Sequence, residues 1–367
     1  MLSILKNAWH AAAYSHEVGE APLARKLIEH EIVIFRDSDG EPGMIANRCP
    51  HRFASLSAGR MVDDTIECPY HGLRFNKLGE CVYNPHSKTK GPLRAANIRG
   101  WPVMERYGMI WFWPGDPALA DPAQFPRIDF LEKPDEYGLV QGLLHVAGHY
   151  ELVVDNLLDL SHAAFLHPQF SGGNYTAEEL LAATTQRLER GERWITNHRL
   201  RTGLGPSSAH VGLFGMDPKT KVITDTTMTW HPPAMLDFAL GSWDLEQDRE
   251  NGIHIPQLHV ITPETEFTSH YFFINGRNRR LGEKAVDDAL LDFFHMAFGQ
   301  QDEPMIEMVQ RNMGAVSDIN ELNPILLATD AAPVSARRML AALIAEEKAA
   351  ETGEAVVTHD AEPAFIA

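Results

Sequence analysis

The sequence is short of the features that mark secreted, membrane and nucleic-acid-binding proteins. Only three cysteines occur among 367 residues, too few for a disulfide framework to hold the fold together. No uncharged apolar run reaches the length of about 18 residues that a membrane span needs. The opening MLSILKNAWHAAAY has neither the apolar core nor the cleavage site of a signal peptide. We therefore expect a cytoplasmic protein whose cysteines serve metal binding.

Positive charge is scarce as well, with 32 Lys and Arg against 50 Asp and Glu and a formal net charge of −18. Such a surface repels nucleic acid and anionic lipid, so neither is an expected partner. It also repels an anionic substrate at long range. Recognition of a carboxylate would therefore need Arg, Lys or His placed locally in the pocket.

Apolar residues make up 44% of the sequence, which is enough for two buried cores. Short apolar stretches alternate with Asp-Gly and Pro-Gly turn signals up to about residue 116, which predicts an all-β first domain, 1–120. A Pro- and Asp-rich connection at 114–130 places the boundary near residue 120. The second domain, 121–367, is predicted to be α+β, with strands over 183–275. Its predicted helices cover residues 148–167, 283–298, 302–313 and 334–351.

Cysteine and histidine occur together in two short motifs of the first domain. Cys49 and His51 are separated by one residue, Cys68 and His71 by two, and sixteen residues lie between the motifs. Two thiolates and two imidazoles on two turns can hold one iron by sulfur and the other by nitrogen, which is the ligation of a Rieske [2Fe-2S] cluster. A zinc site is the alternative, although zinc motifs usually pair like ligands with like. Cys81 is predicted to be a small core residue.

A Rieske cluster occupies only the first domain, so the second must have another task. In DNLLDLSHAAFLHP, His162 and His167 are five residues apart. A helix that is distorted, or that ends after Ala164 with Pro168 marking the stop, would direct both at one metal. Two histidines and one carboxylate leave open positions on Fe(II) for dioxygen and a substrate. Taken alone, the pair also fits histidines that are merely solvated or hydrogen-bonded.

The same segment offers polar side chains beside the histidines. Asn156, Asp159 and His162 follow one another at intervals of three, so they lie along one side of a helix and the Asp159 carboxylate can approach the ligand histidine. We therefore predict functional roles for Asn156 and Asp159. Asp155 is predicted to lie on a solvated helix face.

Together, these motifs resemble the Rieske oxygenases, specifically the branch that contains vanillate O-demethylase oxygenase and dicamba monooxygenase. The likeness covers nearly the whole chain, including KNAWHAAAY, CPHR, CPYHGLRF, YELVVDNLLDLSHAAFLH, LHVITPETE and QDEPMIEMVQRNM. It implies a cluster domain followed by a helix-grip (START-like) catalytic domain with an antiparallel sheet and long helices. It further implies a homotrimer assembled head to tail, and no zinc, haem or flavin in this component.

The resemblance also implies how the two metals communicate. In such trimers the cluster of one subunit lies next to the iron of its neighbour. Carried onto this sequence, the bridge is Asp159, linking His71 of one subunit to His162 of the next. Electrons would come from NAD(P)H through a flavin and iron–sulfur reductase or a ferredoxin.

The third iron ligand in the family comes from an acidic motif on a late helix. DEPMIEMVQ matches that motif, which puts Asp302 in the ligand position. The family usually has Glu-Asp here, whereas this chain has Gln301 before the aspartate and Pro304 just after, so the start of the helix stays open. The lesser candidates for the ligand are Glu303, Glu307 and Asp292.

Substrate contacts follow from the same alignment. His231 and His259 could face the pocket and hydrogen-bond a carboxylate or phenol, although a lone histidine on a strand is as often structural. The implied reaction is O-demethylation of a methoxylated aromatic acid, vanillate-like, with O2, to a phenol and formaldehyde. Ring hydroxylation or aryl-methyl monooxygenation remains an alternative. A further alternative, from a different functional class, is an electron carrier whose second domain has lost its iron.

Overall fold

The computed structural model describes residues 2–167 and 175–352. The chain divides into two units, one of Met1–Phe125 with Thr262–Glu266, the other of Pro126–Ile261 with Phe267–Ala367. The division falls within the Pro- and Asp-rich connection. That a short later segment belongs with the first unit is a feature no local pattern indicates.

The first unit is built from short antiparallel strands, as the turn-rich sequence predicts. They pair in the orders β1-β10-β9, β2-β3-β4 and β5-β6-β7-β8. The strands are β1 His10–Tyr14, β2 Leu23–Leu27, β3 His30–Arg36, β4 Pro42–Ala46, β5 Arg60–Val62, β6 Thr65–Glu67, β7 Arg74–Phe75, β8 Cys81–Tyr83, β9 Val103–Arg106 and β10 Met109–Phe112.

Alternation along β3 explains why this unit has more than one apolar cluster. Ile32 and Ile34 belong to one buried cluster, while Val33 and Phe35 belong to another, because successive side chains of a strand point to opposite faces. The second cluster also contains all three cysteines, and Cys81 is 1% exposed. The segments that carry the cysteine motifs are therefore anchored in a packed core.

The second unit contains an eight-stranded sheet within the described residues, in the order β11-β18-β17-β15-β14-β13-β12 with β16 beside β15. The strands are β11 Gly138–Val146, β12 Thr184–Arg190, β13 Ile195–Leu204, β14 Val222–His231, β15 Met235–Asp244, β16 Ile253–His254, β17 Gln257–Pro263 and β18 Ser269–Arg277. The helices are α1 Tyr150–Leu158, α2 Ala163–Leu166, α3 Ala177–Ala182, α4 Ser208–Phe214, α5 Lys284–Phe294, α6 Glu303–Met313 and α7 Ala331–Thr352. The predicted α+β class is confirmed.

Three predicted helices differ from those observed. The helix expected over 148–167 is interrupted, because α1 ends at Leu158 and a 3₁₀ turn, Leu160–His162, precedes α2. The helices expected over 283–298 and 302–313 are joined by a π-helical segment, His295–Asp302. Among the described residues, none of the helices combines the length and apolar character that spanning a lipid bilayer requires.

A buried ion network ties α7 to α1. Arg337, 7% exposed, donates to both carboxylate oxygens of Asp155 at 2.6–2.9 Å and to Glu151 at 3.0 Å. Asp155 is thus not on a solvated helix face as predicted, because an arginine from far along the chain covers it. The network holds the helix from which the histidine segment continues.

Candidate metal centres and active-site cavity

The two cysteine loops of the first unit have the same backbone design. In each, the amide of the cysteine donates to the carbonyl five residues on, and the amide four residues on donates back to the cysteine carbonyl, at 2.8–3.0 Å. The residue four positions after Cys49 is Phe53, with φ +61°, and the one after Cys68 is Gly72, with φ +70°. The left-handed backbone at these two positions lets both loops turn tightly and present their side chains to one site.

The four side chains of these loops are arranged as a two-iron cluster requires. Cys49 and Cys68 are 1% and 2% exposed, whereas His51 is exposed and His71 half-buried. The imidazole centroids of the two histidines are 4.4 Å apart. The sulfur ligands therefore lie on the core side and the nitrogen ligands on the solvent side of one site.

Burial disfavours the charged thiolate form of the two cysteines unless a metal is bound. It raises the pKa of Cys49 to about 11, and the adjacent Cys68 thiol adds to the rise. A cationic iron offsets both effects by stabilising the thiolates directly. The donor set therefore fits the cluster. Sequence reasoning missed His86, whose Nε2 lies 2.9 Å from the carbonyl of His71, a long-range contact that no spacing signals.

In the second unit, His162, His167 and Asp302 lie together. Nε2 of His162 is 3.4 Å, and Nε2 of His167 3.2 Å, from Oδ1 of Asp302. One ligand atom from each residue falls within 4.8 Å of the others. Two imidazoles and one carboxylate that converge in this way match the facial triad of non-haem Fe(II) enzymes.

The break after α1 is what aims His162. Asp159 has φ −100° and ψ 90°, and its carboxylate accepts from the Ser161 amide at 2.9 Å, so it ends one helix and caps the next turn. We expected a helix that is distorted or that ends after Ala164; the structure shows a distortion, located at Asp159 by the local hydrogen bond of its carboxylate. Pro168, the expected stop, lies outside the described residues.

Hydrogen bonds behind the triad fix which ring nitrogen faces the metal. Nδ1 of His162 is 2.5 Å from the carbonyl oxygen of Asp159, and Nδ1 of His167 is 2.8 Å from Oε1 of Gln301. Both partner oxygens only accept, so each Nδ1 carries the proton and each Nε2 keeps its lone pair for a metal. Gln301 stands where the family usually has glutamate, and its side chain orients the imidazole ring of His167.

Asp302 is the carboxylate that the fold brings to the histidines. It ends the π-helical segment, and Pro304 falls in the first turn of α6, where its missing amide proton costs little. Burial favours its neutral form, but His162 and His167 outweigh burial and hold the pKa of Asp302 at about 2. Asn156 donates to Oδ1 at 3.1 Å. The lesser candidates lie elsewhere: Glu307 accepts from the Ala147 amide, and Asp292 is exposed.

The Asp159 carboxylate does not touch the ligand histidine, as we had expected it could. It accepts from the Ser161 hydroxyl at 2.8 Å and lies 3.8 Å from Nη1 of Arg199. The carbonyl of the same residue makes the histidine contact instead. One residue therefore supports His162 through its main chain and leaves its carboxylate directed elsewhere.

A cavity of about 210 Å³ adjoins the triad. Its wall is mostly apolar, and the aromatic part comes from Phe238, Phe293, Phe294 and Phe298. Phe165, on α2 beside the histidines, is 66% exposed and is not among the described residues that line the cavity. Apolar walls beside a metal-ligand set are typical of sites for small organic substrates.

The two predicted substrate histidines lie in different surroundings. His259 is fully buried and lines the cavity, with Nδ1 2.8 Å from the Tyr271 hydroxyl and no hydrogen-bond partner for Nε2 among the described residues. Burial lowers the pKa of His259 to about 3, so it is neutral. His231 is not among the described residues that line the cavity, because Met228 faces the cavity and a strand turns a side chain three positions on to its other face.

Comparison with known proteins decides the family. Residues 146–346 match the vanillate O-demethylase oxygenase C-terminal domain, and residues 8–102 match the Rieske [2Fe-2S] domain. The chain belongs to the Rieske non-haem iron oxygenases. It is 34% identical over 344 residues to the oxygenase component of dicamba O-demethylase from Stenotrophomonas maltophilia, covering 92% of this chain and 97% of that protein.

A further relative and a solved structure are also similar to this chain. The oxygenase component of chloroacetanilide N-alkylformylase from Rhizorhabdus wittichii is 36% identical over 350 residues, 94% of this chain and 96% of that protein. A crystal structure of dicamba monooxygenase with non-haem iron and dicamba superposes with a TM-score of 0.81 at 31% identity, covering 95% of this chain and 100% of that one.

Membership of this family confirms the predicted cofactors, a Rieske [2Fe-2S] cluster and a mononuclear non-haem iron, over the zinc alternative. The chain is a Rieske-type oxidoreductase, a monooxygenase component that works with a separate reductase or ferredoxin.

Proposed function

We propose that this chain is the terminal oxygenase of a multicomponent system that O-demethylates a methoxylated aromatic acid to a phenol and formaldehyde. The observation that carries the proposal is the apolar cavity that opens directly onto the His162, His167 and Asp302 cluster. The relatives named for dicamba and vanillate demethylation support the reaction type. A cytoplasmic location, where NAD(P)H is available to the reductase, completes the proposal.

The proposed roles follow the donor atoms. Cys49, His51, Cys68 and His71 hold the cluster, and the triad of the second unit holds Fe(II). That iron, when bound, supplies dioxygen activation with electrons delivered through the cluster. The protein contributes position: two protonated Nδ1 atoms fix the ring orientations, and Asn156 holds the Asp302 carboxylate.

The substrate would lie against the aromatic wall. His259, neutral and with Nε2 directed to the cavity, can hydrogen-bond a phenolic or ether oxygen of the ring. The balanced reaction inserts one oxygen atom into a methyl C–H bond and reduces the other to water with two electrons and two protons. The resulting hemiacetal breaks its C–O bond, releasing formaldehyde and leaving the phenol.

We further propose a head-to-tail homotrimer in which Asp159 joins His71 of one subunit to His162 of the next. Two surfaces support this arrangement. Around the cluster, Phe53 and Tyr70 are 66% and 60% exposed. Asp159 and His162 line a groove of the second unit whose rim includes Ile325, 74% exposed. Apolar residues exposed to this degree beside two redox sites suit a subunit contact.

The decisive experiment measures iron and acid-labile sulfide per chain, with oxygen uptake and formaldehyde release, in wild type and His162→Ala. We expect three irons and two sulfides per chain in wild type, since the two sites hold two irons and one. The variant should lose one iron, all oxygen uptake and no sulfide. His198→Ala, a half-buried histidine paired with Glu189, is the matched control and should behave as wild type.

Other outcomes would separate the alternatives. Oxygen uptake with a hydroxylated ring or an oxidised aryl methyl group, and no formaldehyde, would identify the other monooxygenase reactions. Two irons in both proteins and no oxygen uptake, even after Fe(II) is added, would overturn the proposal in favour of an electron carrier.

A further inference from the structure

Two arginines line the active-site cavity although its wall is mostly apolar. Arg199 and Arg201 lie on β13, two residues apart, so their side chains point to the same face of the sheet. Across that face, Arg201 pairs with Thr224 of β14, which in turn pairs with Ser242 of β15. Arg199, Arg201 and Thr224 line the cavity, so basic and hydroxyl groups form one polar end of it, with Ser242 buried behind Thr224.

Neither guanidinium is fully satisfied by the protein. Arg199 is 6% exposed, and its Nη1 has no hydrogen-bond partner among the described residues, with the Asp159 carboxylate at 3.8 Å as its nearest counter-charge. Nε of Arg201 likewise has none within the described part of the chain. A buried cation with unused donors is costly unless an anion completes it.

The charge balance at this end favours an incoming anion. Burial lowers the pKa of both arginines; Asp159 opposes this at Arg199, while at Arg201 Tyr175 opposes it and the positive charge of Arg199 adds to it. Within the residues that the structure describes, Arg199 has the Asp159 carboxylate nearby and Arg201 forms no ion pair with a carboxylate. A bound carboxylate or sulfonate would relieve this repulsion and accept the free N–H groups, for which arginine is geometrically suited.

A second set of unsatisfied atoms lies at a distance across the sheet. On β17, Oε1 of Gln257 and Nε2 of His259 line the cavity without hydrogen-bond partners among the described residues. β14 and β15 separate β17 from β13, which puts the two strands roughly 14 Å apart at about 4.8 Å per strand. The cavity therefore has polar groups towards both sides of its floor. An aromatic ring with substituents at both ends can contact both sets.

We propose that Arg199 and Arg201 form an anion-binding end of the active-site cavity, which selects aromatic substrates carrying a carboxylate or sulfonate. This specificity rests on the proposed function only in requiring that the cavity takes an aromatic ring. It explains how a chain of net charge −18 admits an anionic substrate, since the attraction is local to the cavity.

The test compares binding of matched probes to the anaerobic holoenzyme by calorimetry. The probes are 4-methoxybenzoate, 4-methoxybenzenesulfonate and the neutral isostere 4-methoxybenzamide. Wild type should bind one or both anions at least about tenfold more tightly than the amide, the effect of one charge-assisted hydrogen bond. The preferred anion distinguishes a carboxylate substrate from a sulfonate.

The variant of choice is Arg201→Gln, because Arg199 also lies beside Asp159. It should weaken anion binding by about tenfold or more and leave the amide unchanged, while Arg201→Lys restores part of the loss. Arg187→Gln, an exposed arginine on the neighbouring strand, is the matched control and should have no effect. Cluster absorbance and iron content report that each variant is folded and loaded.

Equal binding of anions and amide by wild type, or an equal loss for all probes in Arg201→Gln, would overturn the proposal. Formaldehyde release is measured separately. Arginine-dependent anion binding without formaldehyde would leave this inference standing and remove the demethylation proposal. Demethylation of the amide with no preference for the anions would support the demethylation proposal and overturn the anion-binding inference.

Discussion

The cluster site and the mononuclear site are built in opposite ways. All four cluster residues fall within 49–71, on two loops with the same hydrogen-bonding design. The triad joins an interrupted helix to a π-helical segment, with Asp302 135 residues beyond His167. A site whose ligands are close together in the sequence can be identified as a motif. A site whose ligands are far apart depends on the tertiary packing of the segments that carry them. The two should therefore respond differently to mutation.

The largest effect is expected from Cys68→Ser. Losing one thiolate ligand from a buried, coordinated set should abolish the [2Fe-2S] cluster and destabilise the core that holds it. Visible absorbance, with iron and sulfide analysis, measures the loss. Cys81→Ser, in the same core but outside the motifs, should keep its cluster; its loss of the cluster would make Cys81 more than a core residue.

Arg337→Met should affect the dispersed site and spare the local one. Removing the guanidinium leaves Asp155 and Glu151 uncompensated, which we expect to cost about 3 kcal/mol of unfolding free energy. Denaturant unfolding of the second unit, with iron content, tests this while cluster absorbance should persist. Exposed Arg338→Met serves as the control, and equal loss in both variants would contradict the role of the network.

Gln301→Ala tests the support of the iron ligands without removing one. His167 would lose the acceptor of its Nδ1 proton, so affinity for Fe(II) should fall about 10- to 100-fold. Equilibrium titration of the iron-depleted protein with Fe(II) measures it, and sulfide content should not change. Gln300→Ala, an exposed neighbour, is matched in chemistry and should bind iron as wild type does.

The smallest effect is acid sensitivity of the second unit. Burial lowers the pKa of His259 to about 3 and of His210 to about 4, so both stay neutral in the folded protein while the unfolded chain takes up protons below about pH 6.5. The free energy of unfolding should therefore decrease as the pH is lowered, by about 1 kcal/mol per histidine between pH 6.5 and pH 5.5. Urea unfolding of His210→Gln at both values should show a smaller loss than wild type.

The cluster ligands are predicted from the sequence alone. The sequence indicates Cys49, His51, Cys68 and His71 because cluster ligation demands both residue types at short spacing on turns, and the structure brings the two histidine rings to 4.4 Å from each other. The family resemblance brought in Asp302, and the structure places it beside His162 and His167. A distorted helix was among the expectations, but its interruption could not be located at Asp159 from the sequence, because an aspartate that caps its own chain competes with the helix and no periodicity records that competition.

Other residues were out of reach. His231 and His259 look alike as lone strand histidines, and only the sheet decides that His259 lines the cavity. Arg337 covers Asp155 across 182 residues of chain, and Arg199 and Arg201 are unremarkable until β13 is placed beneath the cavity. Such contacts are set by strand order and helix packing, which are properties of the whole chain.

The sequence by itself determined that the chain has an all-β cluster domain and an α+β domain, which residues form the cluster motif, and which helix carries the paired histidines. Those features rest on local rules: turn residues, strand alternation and ligand spacing. The tertiary structure decided which carboxylate joins the histidines, which nitrogen each presents, and which polar groups line the cavity. These depend on contacts between distant segments, whose geometry arises only when the sheet and helices bury their apolar faces together.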